Sequence, residues 1–136
     1  MPAVLAFGAG FPVTLLHAGL TLALLVLGVV IYSFLSPHKE VQLIREGNQA
    51  AAISFGGVLL GLAIPLAAAL AASPSIVEIV LWGAAVVAVQ LLAFRLIDML
   101  LTGLPQRIQE GESAAAALLA AAKLGAALIL AAAVAG

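Results

Sequence analysis

Between Met1 and Lys39 no side chain carries a formal charge. An α-helix rises about 1.5 Å per residue, so about 20 apolar residues cross the hydrocarbon of a bilayer. Four stretches reach that length: residues 13–35, 50–72, 76–102 and 114–135. In lipid every backbone N–H and C=O must find an internal partner, which leaves helices as the structure for such stretches. The composition agrees. The 136 residues are 65% hydrophobic and only 8% charged, against about 25% charged in soluble domains, and mean hydropathy is +1.31. The expected fold is an all-α membrane protein, a single transmembrane domain over residues 1–136 with four spanning helices and lipid as its main surroundings.

Charge and cysteine content exclude several roles. A net charge of −1 predicts no nucleic-acid partner and no polybasic lipid-binding tail. Without cysteine, disulfides, thiolate metal sites and cysteine nucleophiles are impossible. Residues 1–11 lack the Lys or Arg of a secretory signal. They read as mature sequence, with Val4, Leu5, Phe7 and Phe11 expected against the membrane surface before Pro12.

The breaks between spans are chemically marked. Ser36-Pro37 can cap and start a new helix, since proline is tolerated at a first helical position. Ser73-Pro74-Ser75 reads as a tight turn, and Gly103 and Pro105 end the third span. Lys39 and Arg45 fall in the first long loop and Arg107 in the second, while both termini and the 73–75 turn have no basic side chain. The positive-inside rule therefore places loops 36–49 and 103–113 in the cytoplasm and both termini outside.

The chain also repeats itself. EGNQAAA at residues 46–52 returns as EGESAAA at 110–116, a shift of 64 positions. The same shift places Gly19 on Gly83, Ile44 on Ile108 and Gly61 on Gly125. Each unit, about 13–72 and 76–135, is a helix, a loop and a helix. An even number of spans gives both copies the same orientation, so the expected relation is a pseudo-twofold axis along the membrane normal. The repeated phrase reads as a re-entry bracket. A short interfacial helix over 38–46 ends at Gly47, and Gly111 does the same in the second copy, because glycine takes the left-handed conformation. Asn48 and Ser113 are then expected to cap the returning spans. In the other reading, Glu46 and Glu110 form a cation site at a pore mouth.

The residues SPHKEVQLIREGNQAAAISFGGVLLGLAIPLAAAL and LWGAAVVAVQLLAFRLIDMLL carry a resemblance to the YjfL-like family of small bacterial inner-membrane proteins. Its ordered features are Glu46-Gly47-Asn48, Gly56-Gly57, Gly61, Pro65, Trp82-Gly83, Gln90 and Arg95. The resemblance implies a bacterial inner-membrane location, a tandem pair of two-helix units and a cytoplasmic partner in envelope stress. It implies no assigned biochemical activity. The sequence departs from the family pattern at Glu112, where the second bracket lacks Asn, and at Lys123 inside the fourth span.

Lys123 is the least expected side chain. It lies about 13–14 Å into the fourth span, where a lysine costs about 2.5–3.5 kcal/mol on insertion scales. It either lines a polar path or binds an anion. Alternatively it snorkels, or packs against Gln90 or a neighbouring subunit's carbonyl. Arg95 and Asp98, three apart, can pair and anchor the third span. His17 and Glu78 can meet across the pseudo-axis as a proton-exchanging pair, or stay apart as wet interfacial groups. Gly57 and Gly61, with Ala121 and Gly125 as their copy, form small-residue faces that bring spans two and four together. Pro65 removes a backbone donor and is expected to bend span two.

No nucleophile with a base, metal cluster or phosphate loop is present, so neither an enzyme nor a cofactor is expected. Two functions remain. The favoured one is a homo-oligomeric channel or small transporter with Lys123, Gln90, Arg95, Asp98, His17 and Glu78 near its path. The alternative is a structural or interaction protein presenting its loops to a cytoplasmic partner.

Overall fold

The structure is a computed structural model that describes residues 1–36 and 39–136. Six helices follow one another: α1 Pro2–Leu35, α2 Glu40–Arg45, α3 Gln49–Ala72, α4 Ile76–Leu100, α5 Leu104–Gln109 and α6 Ser113–Ala135. α1, α3, α4 and α6 are long and apolar enough to cross a membrane. Pro37 and His38 lie outside the described residues, and with them part of the expected Ser36-Pro37 helix start and the first residue of the 38–46 segment. α2 itself runs Glu40–Arg45.

The expected surface segment before Pro12 is instead the beginning of α1. Pro12 sits inside the helix and removes one N–H, but the turns on either side remain bonded. Phe7 and Phe11, one turn apart, stack at 5.0 Å, and the Thr14 hydroxyl donates to the Gly10 carbonyl at 3.1 Å. Residues 1–16 are exposed throughout. At 34 residues α1 is about 51 Å long, well beyond the roughly 30 Å of hydrocarbon.

α3 is the central helix. Its buried positions, Ala50, Ala51, Ser54, Gly57, Val58, Gly61, Leu62, Pro65, Leu66 and Ala69, recur at the three- and four-residue spacing of one helical face. Its most extensive packing is against α6, followed by α4 and α1. Gly57 explains the closeness. A Cβ there would lie 2.7 Å from the Ala120 Cα, inside any real contact distance, so only glycine lets the backbones meet. Spans two and four thus pack as expected, but on a different face of α6. Ala116, Ala120, Lys123 and Ala127 are buried there. Ala121 is exposed, and a Cβ on Gly125 would meet nothing within 4 Å. The 64-residue shift puts Ala121 and Gly125 in register with Gly57 and Gly61, but α6 presents a face turned away from that register. α4 packs on α3, α1 and α6.

Both brackets close as Schellman motifs. Gly47 donates to the Ile44 carbonyl and Asn48 to Leu43; Gly111 donates to Ile108 and Glu112 to Arg107. Gly47 and Gly111 have φ of 88° and 86°. Asn48 caps α3, its Oδ1 accepting from the Ala51 N–H at 3.0 Å. Ser113 does not play that part for α6. It is the first helical residue, and Glu112 stands at the cap position without a side-chain cap bond. The Glu112 carboxylate is turned instead to the Arg107 guanidinium, whose Nη2 donates to it at 2.8 Å. That hydrogen bond, against opposing desolvation, holds the carboxyl below the usual carboxylate range. At the other end of the bundle, Ser75 caps α4 by accepting from the Glu78 N–H at 3.3 Å, closing the 73–75 turn.

Candidate functional site

Lys123 is 1% exposed. It stands ten residues into α6, and helical side chains lean toward the N-terminus of their helix. For α6 that direction is the loop side, so the ammonium is carried back toward the ends of α1 and α4. There Nζ donates to Asp98 Oδ1 at 3.1 Å and to the Tyr32 hydroxyl at 3.2 Å. The hydroxyl in turn donates to Glu40 Oε1 at 3.0 Å. Four elements are tied together in this way: α1 by Tyr32, α2 by Glu40, α4 by Asp98 and α6 by Lys123.

Two aromatic rings complete the surroundings of the ammonium. Nζ lies 5.1 Å from the Tyr32 ring centroid and 5.5 Å from that of Phe94, within the range of cation–π attraction. The two rings meet edge to face at 6.1 Å. The lysine has therefore exchanged water for a carboxylate, a hydroxyl and two ring faces. Such a set is what makes an ammonium tolerable in a low-dielectric interior.

Gln90 belongs to a separate arrangement. In a regular helix the Gly61 carbonyl would accept from the N–H of residue 65, but residue 65 is proline. Gln90 Nε2 donates to that carbonyl at 2.8 Å and supplies the missing bond. Gln90 is 1% exposed, and its amide repairs the backbone of α3 from the neighbouring α4. A second repair of this kind joins the brackets. The Asn48 amide donates to the Ile108 carbonyl at 3.0 Å and to Gln109 at 3.3 Å, both at the end of α5.

The remaining expected site residues are placed as follows. Asp98 pairs with Lys123 and not with Arg95, which is exposed. The three-residue spacing allowed the local pair, but burial of an ammonium makes it the stronger claimant for the carboxylate. Lys123 meets Asp98 and Tyr32, not Gln90. Among the described residues His17 and Glu78 are not joined by a hydrogen bond or ion pair, and Glu78 is exposed. Glu46 and Glu110 are exposed helix-end residues. Sequence reasoning missed Tyr32, Glu40 and Phe94. The available signal was that Tyr32, the chain's one tyrosine, falls near the loop end of a span, where a lysine leaning from α6 can reach it.

The network is open to one side of the bundle. A cleft of about 520 Å³ includes Tyr32, Ser33, Lys39, Glu40, Arg45 and Phe55 in its lining. A second, of about 440 Å³, includes Arg95, Asp98, Thr102 and Gln106. Both lie at the loop ends of the helices. From Gln90 and Gly61 toward the other end, the buried side chains of the four long helices are apolar, among them Leu24, Leu62, Leu66, Ala69, Ile79 and Val86.

Four apolar helices gathered around an ionic cluster at one end define a multi-pass helical membrane protein. The chain belongs to the family described as Domain of Unknown Function (DUF350), which matches residues 6–134. It is similar to the UPF0719 inner membrane protein YjfL of Escherichia coli K12. The two are 35% identical over 102 residues, covering 75% of this chain and 77% of that protein. The protein of that name from Escherichia coli O157:H7 is similar to the same extent. No solved structure matches. The chain is thus an integral inner-membrane protein of an uncharacterised family.

Proposed function

We propose that this protein is a non-catalytic interaction protein of the inner membrane, working through the loop-side face built over the Lys123 network. The observation that carries this reading is one-sidedness. The ionic network reaches clefts at the loop end, and the core beyond Gln90 is aliphatic. The Asn48 bonds to α5 and the Arg107–Glu112 pair stiffen the same face, as a docking surface requires. In this reading the termini face outward, loops 36–49 and 103–113 face the cytoplasm, and the partner is an envelope protein.

The tandem origin of the two halves is part of the same reading. The long–short–long order of helices and the paired Schellman brackets support a duplicated unit with a pseudo-twofold along the membrane normal. The functional set then exists once. The 64-residue shift puts Leu59 opposite Lys123, Leu96 opposite Tyr32 and Phe34 opposite Asp98, and all three are exposed apolar side chains. The ionic centre thus draws on both units, Tyr32 and Glu40 from the first and Asp98 and Lys123 from the second.

A second reading is an oligomeric conduit for ions or small solutes. It is favoured by the burial of Lys123, since a passive anchor gains nothing from an intramembrane ammonium. With an aliphatic core inside each chain, its path would run between chains of a homo-oligomer, alongside the loosely packed α1.

Photo-crosslinking in intact cells tests the interaction reading. A photoreactive residue in place of Gln42 or Gln106, both exposed on the loop face, should give a discrete protein adduct. The same residue in place of Leu128, exposed on α6, should not. Equal or absent protein adducts at the three positions would overturn the interaction reading.

A further inference from the structure

We infer that the cleft between the end of α1, α2 and the start of α3 binds the phosphodiester headgroup of an anionic phospholipid. This deepens the reading of the loop-side face as a binding face and rests on it. The first ground is position. The apolar run of α1 ends there with Phe34 and Leu35, 85% and 53% exposed, and α2 continues with Val41, 45% exposed. Apolar side chains exposed beside charged ones at the end of a spanning helix mark the headgroup level.

Charge supplies the second ground. Of the ionic groups lining the cleft, Glu40 is 4% exposed and its Oε1 is turned inward to the Tyr32 hydroxyl. Lys39 and Arg45, at opposite ends of α2, are exposed. The cleft therefore offers cations to its occupant. Arginine and lysine at a bilayer surface recognise lipid phosphate in this way.

Shape decides between a lipid and a free phosphate ion. The volume of about 520 Å³ falls within the roughly 300–1,000 Å³ of small-molecule sites and far exceeds the needs of an inorganic anion. Phe55 and Val41 contribute apolar wall. Such a wall suits the glycerol and first methylenes of a lipid whose phosphate meets Lys39 and Arg45. Tyr32 lines the same cleft and accepts from Lys123, so an occupied cleft bears directly on the buried network.

Two measurements on the full chain in neutral detergent test the assignment. In native mass spectrometry, dioleoylphosphatidylglycerol should be retained in preference to dioleoylphosphatidylcholine. The double variant Lys39→Gln/Arg45→Gln should lose that preference by about tenfold or more, a few-fold per cation removed. Arg95→Gln, which removes an exposed cation outside this cleft, should keep it. Equal retention of the two lipids, or an unchanged preference in the double variant, would overturn the assignment. So would equal retention of soluble glycerol 3-phosphate in the same spectra, which would identify a free phosphate site. The second measurement needs no variant. A photoreactive phosphatidylglycerol should label the wild-type protein within residues 39–55, and labelling only elsewhere would contradict the inference. If the lipid tests fail while the protein adducts at Gln42 and Gln106 persist, the lipid assignment alone falls.

Discussion

Proline at position 65 and glutamine at position 90 act as one unit, although 25 residues separate them in the chain. Without the proline, the Gly61 carbonyl would be satisfied inside α3, and the Gln90 amide would be a buried group without that use. Gln90→Leu in the wild-type background should therefore cost about 1–3 kcal/mol, the usual penalty for stranding a buried polar group. In a Pro65→Ala background the same change should cost much less, because the residue-65 N–H returns. Reversible unfolding in mixed micelles of the four members of this cycle measures the coupling. Equal cost in both backgrounds would refute the repair. The same physics governs Lys123. Replacing it by methionine leaves the Asp98 carboxylate, with 11% side-chain exposure, facing an apolar group, and should destabilise by about 3–5 kcal/mol. Adding Asp98→Leu should recover most of that loss. If Lys123→Met alone is neutral in the same unfolding assay, the ion pair is not part of the folded core.

Helix packing depends on where the small residues face, which sequence alone conveys only in part. Gly57→Leu drives a side chain into the Ala120 backbone and should cost at least about 1–3 kcal/mol from overpacking. Gly125→Leu, on a face with open space, should be near neutral when assayed in the same way. A reversed order would mean that α3 and α6 meet on the other face. The four spans were legible because length and hydropathy suffice for them, and the glycine brackets because a positive φ favours one residue type. The rotation of α6 was not legible. Its alanines surround the helix, so composition gives no stripe to orient it. The partners of Lys123 were equally hidden, since they come from three other elements that only the tertiary fold brings together. The continuation of α1 through Pro12 escaped notice because proline reads as a stop in water. With Gly10 and Thr14 bonded on either side, the helix absorbs the loss.

At the scale of the whole molecule, the two ends of the bundle differ. The loop end holds the buried ion pair, the two clefts that reach its network and the bonds that lock the brackets together, while the opposite half has an aliphatic core. Single cysteines at Gln49 and Ser75 should be labelled by membrane-impermeant reagents from opposite sides in oriented membranes. Labelling of both from one side would contradict the four-span topology. The central claim, that the Lys123 network serves the loop-side face and not passage through the bilayer, is tested most directly by ion flux. Purified wild-type protein and Lys123→Met, reconstituted in proteoliposomes and compared under imposed potassium, chloride and proton gradients, should both match protein-free vesicles. A protein-dependent flux that changes in rate or ion selectivity with Lys123→Met would contradict the account and establish the conduit.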